Sequence, residues 1–385
     1  MTTKNDRQIP PPGRDAEVAY GSNDIRLSGR QWLVVAAVAG VVLAALPTAW
    51  ERIERIAPAD DYRVPYPLSE DYWLFDRLCR RARRRGQVLV LGDSVVWGHY
   101  VTNDRTLPAA LNARLGRQRF ANLGVDGIHP AALTGLIEHY GRGADGAKVL
   151  LHANLLWMSS DRHDLRTRKA FAFNHPQLVP QFSPAIPCYR ETVTNRLAIA
   201  IRRRSALHAW ASHLRRAYFD GRDLPAWSLD HPYANPLGQI ALVIPAGRAA
   251  AAPTDQAVAW TRRGIRPLNA PWVPLDLSFQ WARFRRAVEV LRERGCELFV
   301  VVGPFNEPML TGESLAAYRR LTGAAAAWLR ARGVPCTVPR ALPSEYYADA
   351  SHPLADGYAT LAERLLAEES FARFADVGPT EGAMP

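Results

Sequence analysis

Lysine is nearly missing from this chain of 385 residues: it stands only at Lys4, Lys148 and Lys169, so all but three of the 48 basic residues are arginine. Against 37 acidic residues this leaves a formal charge of +11. An excess carried by one residue type, alongside abundant alanine, reads as compositional bias more than as a surface built for polyanions. The basic runs at 80–85 and 202–204 carry no interleaved aromatics and no nucleic-acid motif, so no nucleic-acid partner is expected. Cysteine is scarce too, with Cys79, Cys188, Cys296 and Cys336 forming no CxxC and standing at no zinc spacing from histidine. No metal and no cofactor are expected on that ground. Cys296 and Cys336 each lie near the start of an expected strand, which leaves two readings open: small buried apolar residues, or a disulfide if those strands are neighbours.

Charge is absent altogether from one stretch. Residues 32–50 read WLVVAAVAGVVLAALPTAW, with Arg30 before them and Glu51 and Arg52 after. Such a run just spans a hydrocarbon core of about 30 Å, and a tryptophan at each end suits the two interfaces. A transmembrane helix is expected over 31–50, preceded by a disordered cytoplasmic tail at 1–30 and followed by a linker at 51–70. A cleaved signal peptide would want a shorter leader and a better small-x-small site than Pro47-Thr48-Ala49, and a buried core helix would show a polar stripe. Charge does not orient the span, since Arg14, Arg26 and Arg30 are matched by Arg52, Arg55 and Arg63.

Apolar composition of 48% with 22% charged residues is that of a globular chain, long enough for one large domain with insertions or for two. From residue 71 helical and strand patterns alternate, which predicts an α/β fold with a parallel sheet. Strands are expected at 88–91, 119–122, 149–153, 298–302 and 335–338, and helices at 107–115, 130–140, 277–294, 314–332 and 355–374. Residues 158–274 interrupt the alternation with proline, tryptophan, arginine and one long helical pattern at 192–219. No connection within a compact domain needs that length, so an inserted subdomain is expected between a first part at 71–157 and a second at 275–375, with a disordered tail at 376–385.

Chemistry-bearing residues recur where the expected strands end. The first strand runs into Gly92-Asp93-Ser94, which exposes a serine hydroxyl above the sheet. Near the other end of the chain stand Asp349-Ala350-Ser351-His352. A nucleophilic serine needs a base of near-neutral pKa, and that base needs an anion to hold its tautomer; Asp and His three apart in a turn supply both. Oxyanion donors are expected from the N–H of Ser94, from Gly127 after the second strand and from the Asn154 amide after the third. His99 and His152 approach the same rim.

These residues resemble the four signature blocks of the SGNH or GDSL hydrolases: Ser94 in GDS, Gly127 in NLGVDG, Asn154, and Asp349 with His352 in DASHP. The third block departs from the usual Gly-x-Asn-Asp, reading His152-Ala153-Asn154-Leu155. The resemblance, over roughly 86–157 and 295–370, implies a three-layer α/β/α flavodoxin-like domain with a five-stranded parallel sheet and a serine hydrolase or acyltransferase activity. With the apolar segment, the chain is similar to membrane-anchored members that work outside the cytoplasm, among them alginate O-acetylation proteins and the D-alanyl transfer protein of teichoic-acid modification. Residues 301–308, VVGPFNEP, are similar to the latter and would line the cleft with Pro304 and Asn306. By analogy the catalytic domain faces the periplasm of a bacterial inner membrane.

The expected function is an esterase or O-acyltransferase acting through an acyl-serine on O-acyl, above all O-acetyl, groups of an extracytoplasmic glycan. The expected partners are that acylated glycan or another cell-surface acceptor, the membrane, and a membrane-bound O-acyltransferase. The alternatives are a noncatalytic assembly component docked through the insertion, and a lipase on long-chain esters. Clusters such as AWSLDHPY with Trp227 suit either sugar stacking or a subdomain core.

Overall fold

The computed structural model describes residues 27–57, 63–244 and 257–376, so most of the expected leader and C-terminal tail lies outside the described residues. In chain order the elements are α1 (Gly29–Ile53), β1 (Arg55–Ile56), α2 (Tyr72–Arg84), β2 (Val88–Gly92), α3 (Ser94–Trp97), α4 (Leu107–Leu115), β3 (Phe120–Gly124), α5 (Pro130–Tyr140) and β4 (Lys148–Ala153). The insertion carries α6 (Val193–Arg202), α7 (Ala206–Tyr218), α8 (Leu224–Asp230) and β5 (Val243–Ile244). The chain then returns through α9 (Phe279–Glu293), β6 (Glu297–Val302), α10 (Gly312–Arg330), β7 (Cys336–Thr337), α11 (Ala355–Ala367) and α12 (Glu369–Phe374).

Five strands form one parallel sheet in the order β3-β2-β4-β6-β7. Its central strands are apolar without alternation, as in VLVLG of β2 and VLLHA at the end of β4, because both faces are covered. Leu89, Leu91, Leu151, Val300 and Val302 face a core shared with α2, α5, α9 and α10. Val88, Val90, Leu150, Phe299 and Val301 face α4, α11 and α12. Strand order reverses between β2 and β4, and in open parallel sheets the crevice beyond the carboxyl ends at such a point is where ligands bind.

Two expected helices are broken. The pattern over 192–219 divides into α6 and α7, because Ser205 accepts the His208 N–H as the cap of a new helix and Arg203 turns inward onto the Val179 carbonyl at 2.6 Å. The pattern over 355–374 divides at Glu368, whose extended backbone turns Phe371 onto Phe120, ring centroids 5.9 Å apart. Cys296 and Cys336 are both free thiols: β6 and β7 are neighbours, but Cys336 lies opposite Val300 while the Cys296 thiol donates to the Ala144 carbonyl.

Helix α1 is long and apolar enough to cross a membrane, with a mean hydropathy of 2.2 in its most apolar window. Ser28 and Gln31 close a capping box at its start. Only Pro47 within it is buried. At its far end the buried Glu54 carboxylate is bonded by Arg77, by Tyr218 at 2.5 Å, by His213 at 2.9 Å and by Trp50 at 3.0 Å, while the other nitrogen of His213 meets Asp71 at 2.6 Å. β1 also pairs with β5, joining the residues after α1 to the end of the insertion. Burial opposes protonation of His213, but Asp71 and Glu54 overcome it and lift its pKa to about 9. A histidine raised in the folded state stabilises fully below its unfolded value of about 6.5, and that contribution disappears as pH rises through about 9. Melting temperature in detergent therefore falls between pH 7 and 10. His213→Ala, which takes one charged donor from each of two buried carboxylates, costs about 3 kcal/mol and removes most of that pH dependence.

Candidate active site

The loop after β2 is shaped by glycine. A side chain at Gly92 would bring Cβ to 2.5 Å from Val96 Cγ2, and one at Gly124 to 2.3 Å from the Trp97 nitrogen. Without those side chains α3 seats directly on the strand ends and carries Ser94 at its first position. Its far end is clamped: one guanidinium nitrogen of the buried Arg63 donates to the carbonyls of Trp97, Gly98 and Val101, and the Tyr358 hydroxyl donates to the Val95 carbonyl at 2.6 Å.

Ser94, Asp349 and His352 are brought together. The Ser94 hydroxyl lies 2.8 Å from His352 Nε2, and both Asp349 oxygens lie 2.8 Å from His352 Nδ1. An ionised carboxylate only accepts, so Nδ1 carries the proton and Nε2 is free to accept from serine. Asp349 Oδ1 also accepts the backbone N–H groups of Ser351 and His352, folding the turn around its own side chain. Burial works against ionisation of Asp349, but His352 and these donors lower its pKa to about 2. For His352 burial pulls downward, and Asp349 first, with Asp93 and Asp126, outweighs it and holds the imidazolium above the ordinary histidine value.

The other expected residues take distinct places. Gly127 sits in the loop after β3 at φ +69°, a conformation suited to glycine, with its carbonyl accepting from Asn174. Neither its N–H nor that of Ser94 has a protein acceptor among the described residues. Asn154 gives one amide hydrogen to Asp93 Oδ2 at 2.8 Å and keeps a second. Asn306 is fully buried and acts on the turn: its N–H donates to the Ala350 carbonyl at 2.9 Å and its amide to the Asp349 carbonyl at 3.1 Å. Pro304, also buried, precedes it in the loop after β6. His152 lies beneath the site, its Nε2 donating to the Gly303 carbonyl at 3.0 Å and its Nδ1 3.4 Å from Asp93 Oδ1. His99 lies beside it, bound through Nδ1 to Asp126 at 2.7 Å, its ring centroid 5.7 Å from that of His352.

Several residues here were not singled out by sequence. Asp93 is buried and accepts from the Val95 N–H, Asn154 and Trp157. Burial would raise its pKa, yet His152, His352 and Trp157 keep it lowered and ionised. The Gly-Asp-Ser tripeptide already contains it, and an aspartate between a buried strand and a helix start is the available signal. Tyr100 and Arg263 had none: Tyr100 packs edge-on to His352 at 5.3 Å and lies under Arg263, which arrives from the end of the insertion. Among the described residues no group of three or more His, Cys, Asp or Glu is placed to hold a metal ion.

Compared with known proteins, the sequence matches no family model and no curated protein.

A serine whose hydroxyl donates to a neutral, carboxylate-held imidazole can add to an acyl carbonyl, and protonated His352 cannot accept the proton. Activity toward an activated ester should therefore fall on acidification along a limb centred above pH 6.5. Asp349→Asn should lower kcat by on the order of 10⁴-fold and move that limb to lower pH, read from a pH–rate profile.

Proposed function

We propose that this chain is a membrane-anchored serine esterase or O-acyltransferase of the SGNH type, acting on O-acyl, chiefly O-acetyl, groups of an extracytoplasmic glycan. The observation that carries the reading is the unbroken hydrogen-bonded line from Ser94 Oγ through His352 to Asp349 at the carboxyl edge of a parallel sheet. The order of the motif residues along the chain, and the β3-β2-β4-β6-β7 sheet with helices on both faces, support a flavodoxin-like SGNH domain.

Ser94 Oγ adds to the acyl carbonyl as His352 Nε2 takes its proton. The N–H groups of Ser94 and Gly127 and the second amide hydrogen of Asn154 are the donors for the oxyanion. Collapse of the tetrahedral adduct breaks the ester bond, and the departing alkoxide takes the proton from His352. Water or a sugar hydroxyl then gives its proton to His352 and attacks the acyl-serine; a second collapse returns the proton to Ser94 Oγ. Water yields hydrolysis and a sugar hydroxyl yields transfer.

His99 and Tyr100 pack against His352, with Arg263 over the Tyr100 ring, and rings this close to the imidazole support a short acyl group over a long one. Helix α1 and the resemblance together support a single-pass protein of a bacterial inner membrane with its catalytic domain in the periplasm, partnered by a membrane-bound O-acyltransferase. Ser94→Ala should lower acetyl-ester turnover by about 10³-fold or more while leaving the melting temperature within a few degrees. Acetyl esters should be preferred to long-chain esters. Undiminished turnover by the variant contradicts the mechanism, and preference for long chains favours a lipase.

A further inference from the structure

The insertion's helices have almost no core of their own. None of α6 is buried, and α7 and α8 bury only His213, Tyr218 and Trp227. On α6, Val193, Leu197 and Ile201 are 72%, 53% and 63% exposed, and a spacing of four aligns them as one apolar stripe. The stripe is held outward, because Arg196 ties α6 to the body through the carbonyls of Gln181 and Tyr189, and Arg203 ties its end to Val179. A rigidly presented apolar row on a helix usually has something to cover it.

Its surroundings point to lipid. Helix α7 packs across the end of α1, with Trp50 5.8 Å from Trp210 and 6.4 Å from Tyr218 by ring centroids, and His213 bonded to Glu54. A three-residue turn joins α7 to α6, so the stripe belongs to the hairpin seated where α1 ends. Exposed Arg202 and Arg204 follow the stripe, and exposed Arg52 and Arg55 stand at the end of α1. Apolar side chains bordered by arginine suit an acyl and headgroup boundary bearing anionic lipid.

We infer that the outer face of α6 lies in the bilayer interface beside the exit of α1, so that the protein rests on lipid as well as passing through it. The inference depends on α1 spanning the membrane. It sets the height and tilt of the catalytic domain over the surface, which a single helix alone would leave free.

The test uses the full chain in nanodiscs of phosphatidylethanolamine and phosphatidylglycerol with no other protein. Cys79, Cys188 and Cys296 are buried, so a Cys336→Ser background accepts one nitrobenzoxadiazole label at Leu197→Cys, with Val38→Cys and Glu313→Cys as membrane and aqueous references. Expected at position 197 are blue-shifted emission, quenching by doxyl-labelled lipid, and iodide quenching several-fold weaker than at 313. A label at 197 as open to iodide as that at 313, with 38 shielded, overturns the inference and leaves the anchor standing. Iodide access at 38 as well overturns both.

Discussion

A buried carboxylate must be met by donors, and the arrangement of this site follows from how Asp93 is met. It lies between the end of β2 and the start of α3, and takes the Val95 N–H from its own turn together with Asn154 and Trp157 from beyond β4. Those bonds join the two strand ends that flank the crevice, and each supplies a donor to a charge held in the interior. Ser94, next in the chain, is thereby fixed relative to Asn154. From the opposite side Asn306 holds the turn of Asp349 and His352 by its backbone, so His352 reaches Ser94 without depending on side-chain contacts alone.

The parts of the fold that were legible in the sequence are those set by local pattern. The apolar runs of β2, β4 and β6 and the helix over 130–140 fall within a residue or two of their expected limits, because strands buried on both faces leave no alternation to misread. The meeting of Ser94, Asp349 and His352 was legible because each follows a strand end on the same edge of a parallel sheet. The break at Ser205 was not, since it depends on where Arg203 finds a carbonyl in the distant 176–181 segment. Likewise Tyr100 and Arg263 carry no local mark; only the return of the insertion over the edge joins them, and His152 lies buried beneath the edge, bonded to the Gly303 carbonyl.

The insertion connects the end of α1 with the strand-end edge that holds Ser94. Its helix α7 grips the end of α1 through His213 and Tyr218, and its last residues lay Arg263 over Tyr100 beside His352. One segment therefore ties the apolar helix to the edge where the chemistry would occur. Two arginines act inside the fold: Arg63 donates to carbonyls and Arg77 to a buried carboxylate.

The proposal that His352, held by Asp349, makes Ser94 a nucleophile is tested by a fluorophosphonate probe followed by mass spectrometry of the Ser94 peptide. A covalent adduct on Ser94 is expected in the native protein, and its loss in His352→Ala. An unmodified Ser94, or equal labelling without His352, would contradict it.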